Sequence, residues 1–205
     1  MFSLKKLVTG PMQVNTYILG ETESREAVVV DPGGNRPAIQ QVLEQQGWTL
    51  KKIVLTHGHG DHIGAVLELK EMTGVPVAVH REDAEMLADS QKNFTSMMGG
   101  GIQFQADELL DDGETLKLGT DQIKVIHTPG HTPGGICLLA GELLFSGDTL
   151  FLQSIGRTDL EGGSHRQLIE SIKTKLMKLS DTVKVYPGHG PDTTIGLEKK
   201  SNPYL

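Results

Sequence analysis

The sequence predicts an α/β fold built in layers. Three observations carry this. Short β-branched runs alternate with segments of helical period through the first 80 residues, in the order strands, helix, strand, helix, strand. A strand-turn-helix unit occupies residues 52–73, and its turn is crowded with histidine. Past Glu114 the chain returns to strands before a last helix and strand.

Residues 2–8 and 14–19 read as strands around Gly10-Pro11, and 26–30 as a third ending at Asp31-Pro32-Gly33-Gly34. An aspartate that closes a strand more often fixes loop backbone by hydrogen bonds than binds a ligand, so Asp31 is read as structural. Pro37 near a helix start, apolar Ile39, Val42 and Leu43, and a closing Gly47 predict a helix over 36–46. Residues 52–55 form a β-branched buried strand. Ile63, Val66, Leu67 and Leu69 then set a helix over 63–73, stopped by Gly74 and Pro76. Residues 77–80 are a strand ending in His80, read as a hydrogen-bonded structural histidine, and 81–89 reads as helical. Residues 90–107 hold Phe94, Met97, Met98 and three glycines and read as a mobile loop, either covering a substrate or making a plain surface excursion. Strands follow at 115–118, 122–126, 136–139 and 143–145. Ser164 caps a helix over 165–179 with Leu168, Ile169, Ile172, Leu176 and Leu179 on one face, and 183–186 is the last strand.

Composition narrows the partners. At 205 residues, with no Pro/Ser/Gly linker or composition break, residues 1–205 read as one domain. The formal net charge is −7, from 19 Lys+Arg against 26 Asp+Glu, and no basic block exists that could neutralise a phosphate backbone. Nucleic acid is therefore not an expected partner. The lone cysteine, Cys137, cannot form an internal disulfide, and no segment reads as a signal peptide or a membrane span. The cytosol is the expected location, and the oligomeric state is left open.

Chemistry concentrates at Thr56-His57-Gly58-His59-Gly60-Asp61-His62. Imidazole nitrogen and carboxylate oxygen are ligands of zinc, and of iron or manganese at non-haem sites. Gly58 and Gly60 allow tight or left-handed backbone, so neighbouring side chains can converge on one point. The positive end of the following helix would favour the Asp61 carboxylate. A His-rich surface loop is the bland alternative; four ligand-type residues around two glycines make it the weaker one.

Thr-His-x-His-x-Asp-His after a strand resembles the signature of the metallo-β-lactamase superfamily. That resemblance, covering nearly the whole chain, implies a four-layer αβ/βα sandwich of two mixed sheets flanked by helices, assembled from two similar halves. It maps His131, in Thr-Pro-Gly-His-Thr-Pro-Gly, onto the third histidine of a first metal site. It maps Asp148, just past an apolar strand, onto a carboxylate bridging two metals, and His189, framed by Pro-Gly and Gly-Pro, onto the last ligand. Site one is then His57, His59, His131 and Asp148; site two is Asp61, His62, His189 and Asp148. Asp61 also takes the catalytic carboxylate role. His127 has no counterpart and closes its strand.

Two divalent ions, zinc first with iron or manganese as alternatives, would lower the pKa of a shared water toward about 7 and supply hydroxide at neutral pH. Of the remaining histidines, His80, His127 and His165, none is an evident acid for an amide nitrogen leaving group. A thiolate, with a thiol pKa near roughly 8.5, leaves more easily, so an acyl thioester is the expected small-molecule substrate, with a lactone or other activated ester close behind. Ser154-Ile155-Gly156-Arg157-Thr158-Asp159 with the late Pro-Gly-His-Gly-Pro is similar to short bacterial glyoxalase II-like hydrolases, which implies S-lactoylglutathione. Long enzymes of that type carry a C-terminal helical domain with basic glutathione contacts, for which residues after His189 offer no counterpart. Arg157 either meets a substrate carboxylate or braces its loop against Asp159, the commoner use of such an arginine. Persulfide dioxygenases of the same superfamily, implied to use one iron, also resemble the chain through Gly-Arg-Thr-Asp. A non-catalytic metal-stabilised module is the third reading.

Overall fold

The computed structural model describes residues 1–205. Six strands form the first sheet in sequence order: β1 (Phe2–Thr9), β2 (Val14–Glu21), β3 (Glu26–Val30), β4 (Thr49–Val54), β5 (Val77–His80) and β6 (Glu108–Leu110). The second sheet contains β7 (Thr115–Leu118), β8 (Asp121–His127), β9 (Ile136–Ala140) and β10 (Leu143–Gly147). A two-stranded ribbon, β11 (Leu150–Phe151) and β12 (Ser154–Ile155), precedes β13 (Lys184–Pro187) and β14 (Thr193–Thr194), which rejoin that sheet in the order β14-β13-β10-β9-β8-β7. Both sheets open with an antiparallel meander and continue with parallel pairing, at β3-β4-β5-β6 and at β10-β13.

The layering follows from the two-residue period of strands. In β3, Ala27 and Val29 pack with Ile39 and Leu43 of α1 (Arg36–Gln46) and with Val66 and Leu69 of α2 (Val66–Thr73). Val28 and Val30 point the other way, against Val125, Ile136, Leu138 and Phe145 of the second sheet. A strand buried on both faces must be apolar throughout, which is why 26–30 reads as a continuous run after its first residue. The short α3 (Ala84–Leu87) buries Leu87 in the first of these cores. On the far face of the second sheet, Cys137, Leu144 and Val185 meet Leu168 and Ile172 of α4 (His165–Thr174) and Ile195 of α5 (Ile195–Ser201). Three cores between four layers make the αβ/βα sandwich that the resemblance implies. No helix is long and apolar enough to cross a membrane.

Several boundaries differ from the sequence reading, each for a local reason. The helix expected from Ile63 starts at Val66, because Gly60–His62 forms a separate 3-10 turn. Residues 81–89 split into a 3-10 turn, Arg81–Asp83, and the single turn of α3. The helix expected to reach Leu179 ends at Thr174 and gives way to a 3-10 turn, Leu176–Lys178. Segment 90–107 is tied down: buried Asn93 donates to Ile102 O (2.9 Å), its Oδ1 accepts from Thr95 N (3.0 Å) and Oγ1 (2.7 Å), and its carbonyl accepts from Gly60 N (2.7 Å). The sequence reading omitted β6, β11, β12, β14 and α5, all too short to show a period.

Candidate metal centre

Five strand ends meet at one rim. Asp31 follows β3, His57 to His62 follow β4, His131 follows β8, Asp148 follows β10 and His189 follows β13. The structure brings all seven predicted ligand residues together: the donor atoms of His57, His59 and His131 lie within 4.8 Å of one another, as do those of Asp61, His62 and His189, and those of His57, His62 and Asp148. Asp148 faces both groups. Its Oδ1 is 3.5 Å from His62 Nε2, and its Oδ2 is 3.7 Å from Nε2 of both His131 and His189.

Close approach, not left-handed backbone, explains the glycines at the turn. Neither Gly58 nor Gly60 has a positive φ, but a Cβ on Gly60 would lie 2.5 Å from Thr95 Cγ2 and 2.8 Å from Asn93 O. At Gly188, a Cβ would lie 2.2 Å from Asp148 Oδ1. The helix-terminus argument for Asp61 also fails, since α2 begins five residues later; His189 Nε2, 3.1 Å from Asp61 Oδ2, is its partner instead.

Second-layer hydrogen bonds orient the rings. His62 Nδ1–H donates to Asp31 Oδ2 (3.0 Å), His57 Nδ1–H to Thr56 Oγ1 (3.1 Å) and His131 Nδ1–H to the Arg157 carbonyl (2.8 Å). Thr56 Oγ1–H in turn donates to Asp31 Oδ2 (2.6 Å), and Asp31 Oδ1 accepts Thr56 N–H (2.8 Å). Each such bond keeps a proton on Nδ1 and leaves Nε2 as the nitrogen that can face a cation; on His62, whose pKa is raised, a cation would displace the second proton that the metal-free ring carries. Asp31 is thus structural, as read from the sequence, yet it sets the tautomers of two imidazoles.

Asp83, which sequence reasoning passed over, braces the site from behind. Fully buried, it accepts from Gly58 N (3.0 Å) and Thr132 Oγ1 (2.8 Å) on one oxygen and from Gly134 N (2.6 Å) on the other, joining the first histidine turn to the His131 loop. Burial pushes its pKa up against these bonds. Asp83→Ala leaves two backbone N–H groups buried and unpaired, at about 1–3 kcal/mol each. The expected loss is about 3 kcal/mol, a Tm lower by roughly 6–12 °C for a chain of this size in a thermal melt. An unchanged Tm would remove Asp83 from this role.

The cluster fits a divalent cation. Nε2 of His57, His59 and His62 and Oδ1 of Asp148 are buried with no hydrogen-bond partner, a concentration that buried polar groups do not tolerate without an unseen partner. A nitrogen-and-carboxylate donor set suits zinc, iron or manganese. His80 and His127 stack elsewhere at 3.9 Å and 14°, with His80 Nδ1 accepting from Glu82 N and His127 Nε2 donating to Pro133 O (2.8 Å). Donor atoms of His80, Glu82 and His127 do lie within 4.8 Å of one another, yet one nitrogen of each ring is engaged by these backbone bonds, in keeping with the structural reading of His80.

Protonation is divided within the cluster. Burial, reinforced by the neighbouring imidazoles, pushes His57 well below 6.5 and His59 down to about 3. For His62, burial opposes the charge but Asp31 and Asp148 outweigh it and raise the pKa well above 6.5; for His189, Asp61 and Asp148 likewise outweigh burial. Asp148 is held well below the usual carboxylate range by His62, His131 and His189 despite its burial, and Asp61 is lowered by His189 and His62 despite its own. His62 and His189, with raised folded values, stabilise the metal-free protein fully below pH 6.5 and lose that contribution as pH rises through those values. His57 and His59, with lowered values, cost stability as pH falls below 6.5, because only the unfolded chain takes up their protons. Chelated protein is therefore expected to show a Tm maximum near pH 6.5, falling on both sides. A Tm that climbs steadily from pH 5 to 8 would contradict this assignment of charges.

A cavity of about 460 Å³ opens over the cluster, lined by Met12, His59, Asp61, Phe94, Met98 and Arg157 among others. Arg157 is at the cavity, as expected of a substrate contact, but its guanidinium pairs bidentately with Asp159 at 2.9 and 2.8 Å, as the bracing reading requires.

A four-layer sandwich with a histidine and aspartate cluster at the rim of its strands defines an α/β sandwich protein built to bind metal. The chain belongs to the metallo-beta-lactamase superfamily, which it matches over residues 9–189. It is 39% identical over 198 residues to the hydroxyacylglutathione hydrolase GloC of Haemophilus influenzae, covering 94% of this chain and 93% of that one. The crystal structure of the BLEG-1 B3 metallo-beta-lactamase superposes with a TM-score of 0.93 at 42% identity, with 99% of each chain covered. The crystal structure of TTHA1623 in a di-iron-bound form gives 0.87 at 34% identity, covering 98% of this chain and all of that one.

Proposed function

We propose that this chain hydrolyses the thioester bond of a small acyl-thioester, with His57, His59 and His131 holding one divalent ion, Asp61, His62 and His189 a second, and Asp148 shared between them. The observation that carries the reading is the set of buried orphaned acceptors within this cluster, at the floor of an open cavity. When bound, two such ions would lower the pKa of a water toward neutrality and polarise the acyl carbonyl. Zinc is the first candidate; the di-iron form of TTHA1623 supports iron as the alternative.

The protein's own groups supply orientation. Asp61 lines the cavity, is held ionised by His189 and His62, and would accept a hydrogen bond from the attacking water. His62 and His131 are fixed in tautomer by Asp31 and the Arg157 carbonyl. What the cavity lacks selects the bond. Apart from the proposed ligands its sole ionisable side chain is Arg157, already paired, so no group is free to protonate an amine leaving group. A thiolate departs without that help. The name of GloC supports a thioester substrate; the likeness to BLEG-1 favours a β-lactam as the second reading.

The test is turnover of S-lactoylglutathione, an S-acetyl thioester and a chromogenic β-lactam by metal-quantified protein, with oxygen uptake followed on glutathione persulfide. Thioester loss with two ions per chain is expected. β-Lactam turnover alone would move the chain to the second reading, and a single iron with oxygen uptake would make it a dioxygenase.

A further inference from the structure

We propose that the cavity recognises thioesters bearing an apolar chain next to the reacting bond, and not the charged peptide of glutathione; this rests on the thioester reading above. Above the polar floor, the cavity wall is Met12, Phe94, Met97, Met98 and Leu160, drawn from three separate segments. Three of the chain's seven methionines ring the mouth, with Met12 55%, Met97 81% and Met98 46% exposed. Large apolar groups grouped at a cavity rim mark a ligand surface, and thioether side chains repack around varied apolar shapes.

Phe94 adds an independent sign. Its φ of 66° is a left-handed conformation that an aromatic residue adopts only where the surroundings impose it. Asn93 imposes it, through bonds to Ile102, Thr95 and Gly60 already described. The outcome is a phenyl ring held 5.4 Å, centroid to centroid, from the His59 imidazole. A strained backbone that puts an apolar ring beside the reacting centre is what binding an apolar substituent there requires.

Charge argues the same way. S-Lactoylglutathione carries two carboxylates, and the only arginine or lysine on the cavity wall is Arg157, paired to Asp159. A separate depression, whose Glu161 follows the cavity's Leu160 in the chain, presents Glu82, Glu85 and Glu161 with a single lysine, Lys92, itself 3.1 Å from Glu85. An anionic carrier finds no unpaired cation there, whereas an apolar chain finds five apolar side chains. The chain can be borne on either side of the thioester, by the acyl group or by the thiol.

The experiment compares two series, acetyl to hexanoyl thioesters of N-acetylcysteamine and acetyl thioesters of ethyl to hexyl thiols, alongside S-lactoylglutathione. In one series kcat/KM is expected to rise about fourfold per methylene, the factor for about 0.8 kcal/mol of burial. The series that rises identifies the side. Phe94→Ala and Met98→Gln are expected to flatten it. Non-hydrolysable thioether analogues of that series are expected to bind more tightly with length and with a negative heat-capacity change. Turnover flat in both series, or a preference for S-lactoylglutathione above about tenfold, overturns the inference and leaves thioester hydrolysis standing. No turnover of any thioester overturns both.

Discussion

Asp148→Ala is expected to lose thioesterase activity by about a thousandfold or more and to retain at most one metal ion per chain. Asp148 is the one carboxylate that faces His62, His131 and His189 together, at 3.5–3.7 Å. Remove it, and six remaining donors include a single anion, Asp61, for two dications whose mutual repulsion nothing then offsets. Losing one ion removes several kcal/mol of transition-state stabilisation, and about 4 kcal/mol is roughly a thousandfold. The fold should survive. Asp148 accepts no backbone N–H, so its removal strands no main-chain donor, and its Oδ1 has no hydrogen bond to lose. Metal analysis, a thermal melt and turnover on one preparation make the check; two ions per chain with activity within tenfold would end the bridging assignment.

How much of this was legible in the sequence depended on whether the signal was local. His57 to His62 announced themselves because four ligand-type residues fell in six positions behind an apolar strand. His131, Asp148 and His189 stand singly in loops, and only their place in a known pattern picked them out. The α/β layering was legible in the order of strands and helices through residue 80, whereas the four-layer sandwich came only from the resemblance. Asp83 was not legible. It lies 25 residues from Gly58 and 51 from Gly134, in a stretch that reads as an ordinary polar helix, and its role exists only once β5 and β9 have brought those turns together. The same holds for Met12 and Leu160, unremarkable loop residues until they close the cavity that Phe94 and Met98 begin. The glycines of the histidine turn were picked out correctly for the wrong reason. Sequence shows that a side chain is absent, not which neighbour needs the space.

Asp31→Asn is expected to fold and yet lose metal affinity by about 10–100-fold, the size of effect that a ligand's hydrogen-bond partner commands. The substitution keeps shape and removes a lone pair. In the native protein, Asp31 Oδ2 accepts two protons, from Thr56 Oγ1 and from His62 Nδ1, while Oδ1 accepts Thr56 N–H. An asparagine can keep the backbone bond only by turning its amide nitrogen toward the other two groups. That nitrogen donates. His62 must then accept at Nδ1 and carry its proton on Nε2, the atom aimed at Asp148 and Asp61. Thr56, accepting from the amide, turns its own proton toward His57 Nδ1 and drives that ring the same way. One nitrogen for oxygen exchange thus caps two proposed ligands with protons, one from each site. Asp31→Ala tests less cleanly, since it also strands the Thr56 N–H. Imidazole nitrogen-15 shifts of the metal-free variant and native protein, followed upward in pH until the His62 ring is neutral, report the tautomers, and a metal titration reports affinity. Native tautomers with reduced affinity would mean that Asp31 acts through its charge alone; native affinity with reversed tautomers would mean that His62 and His57 are not ligands.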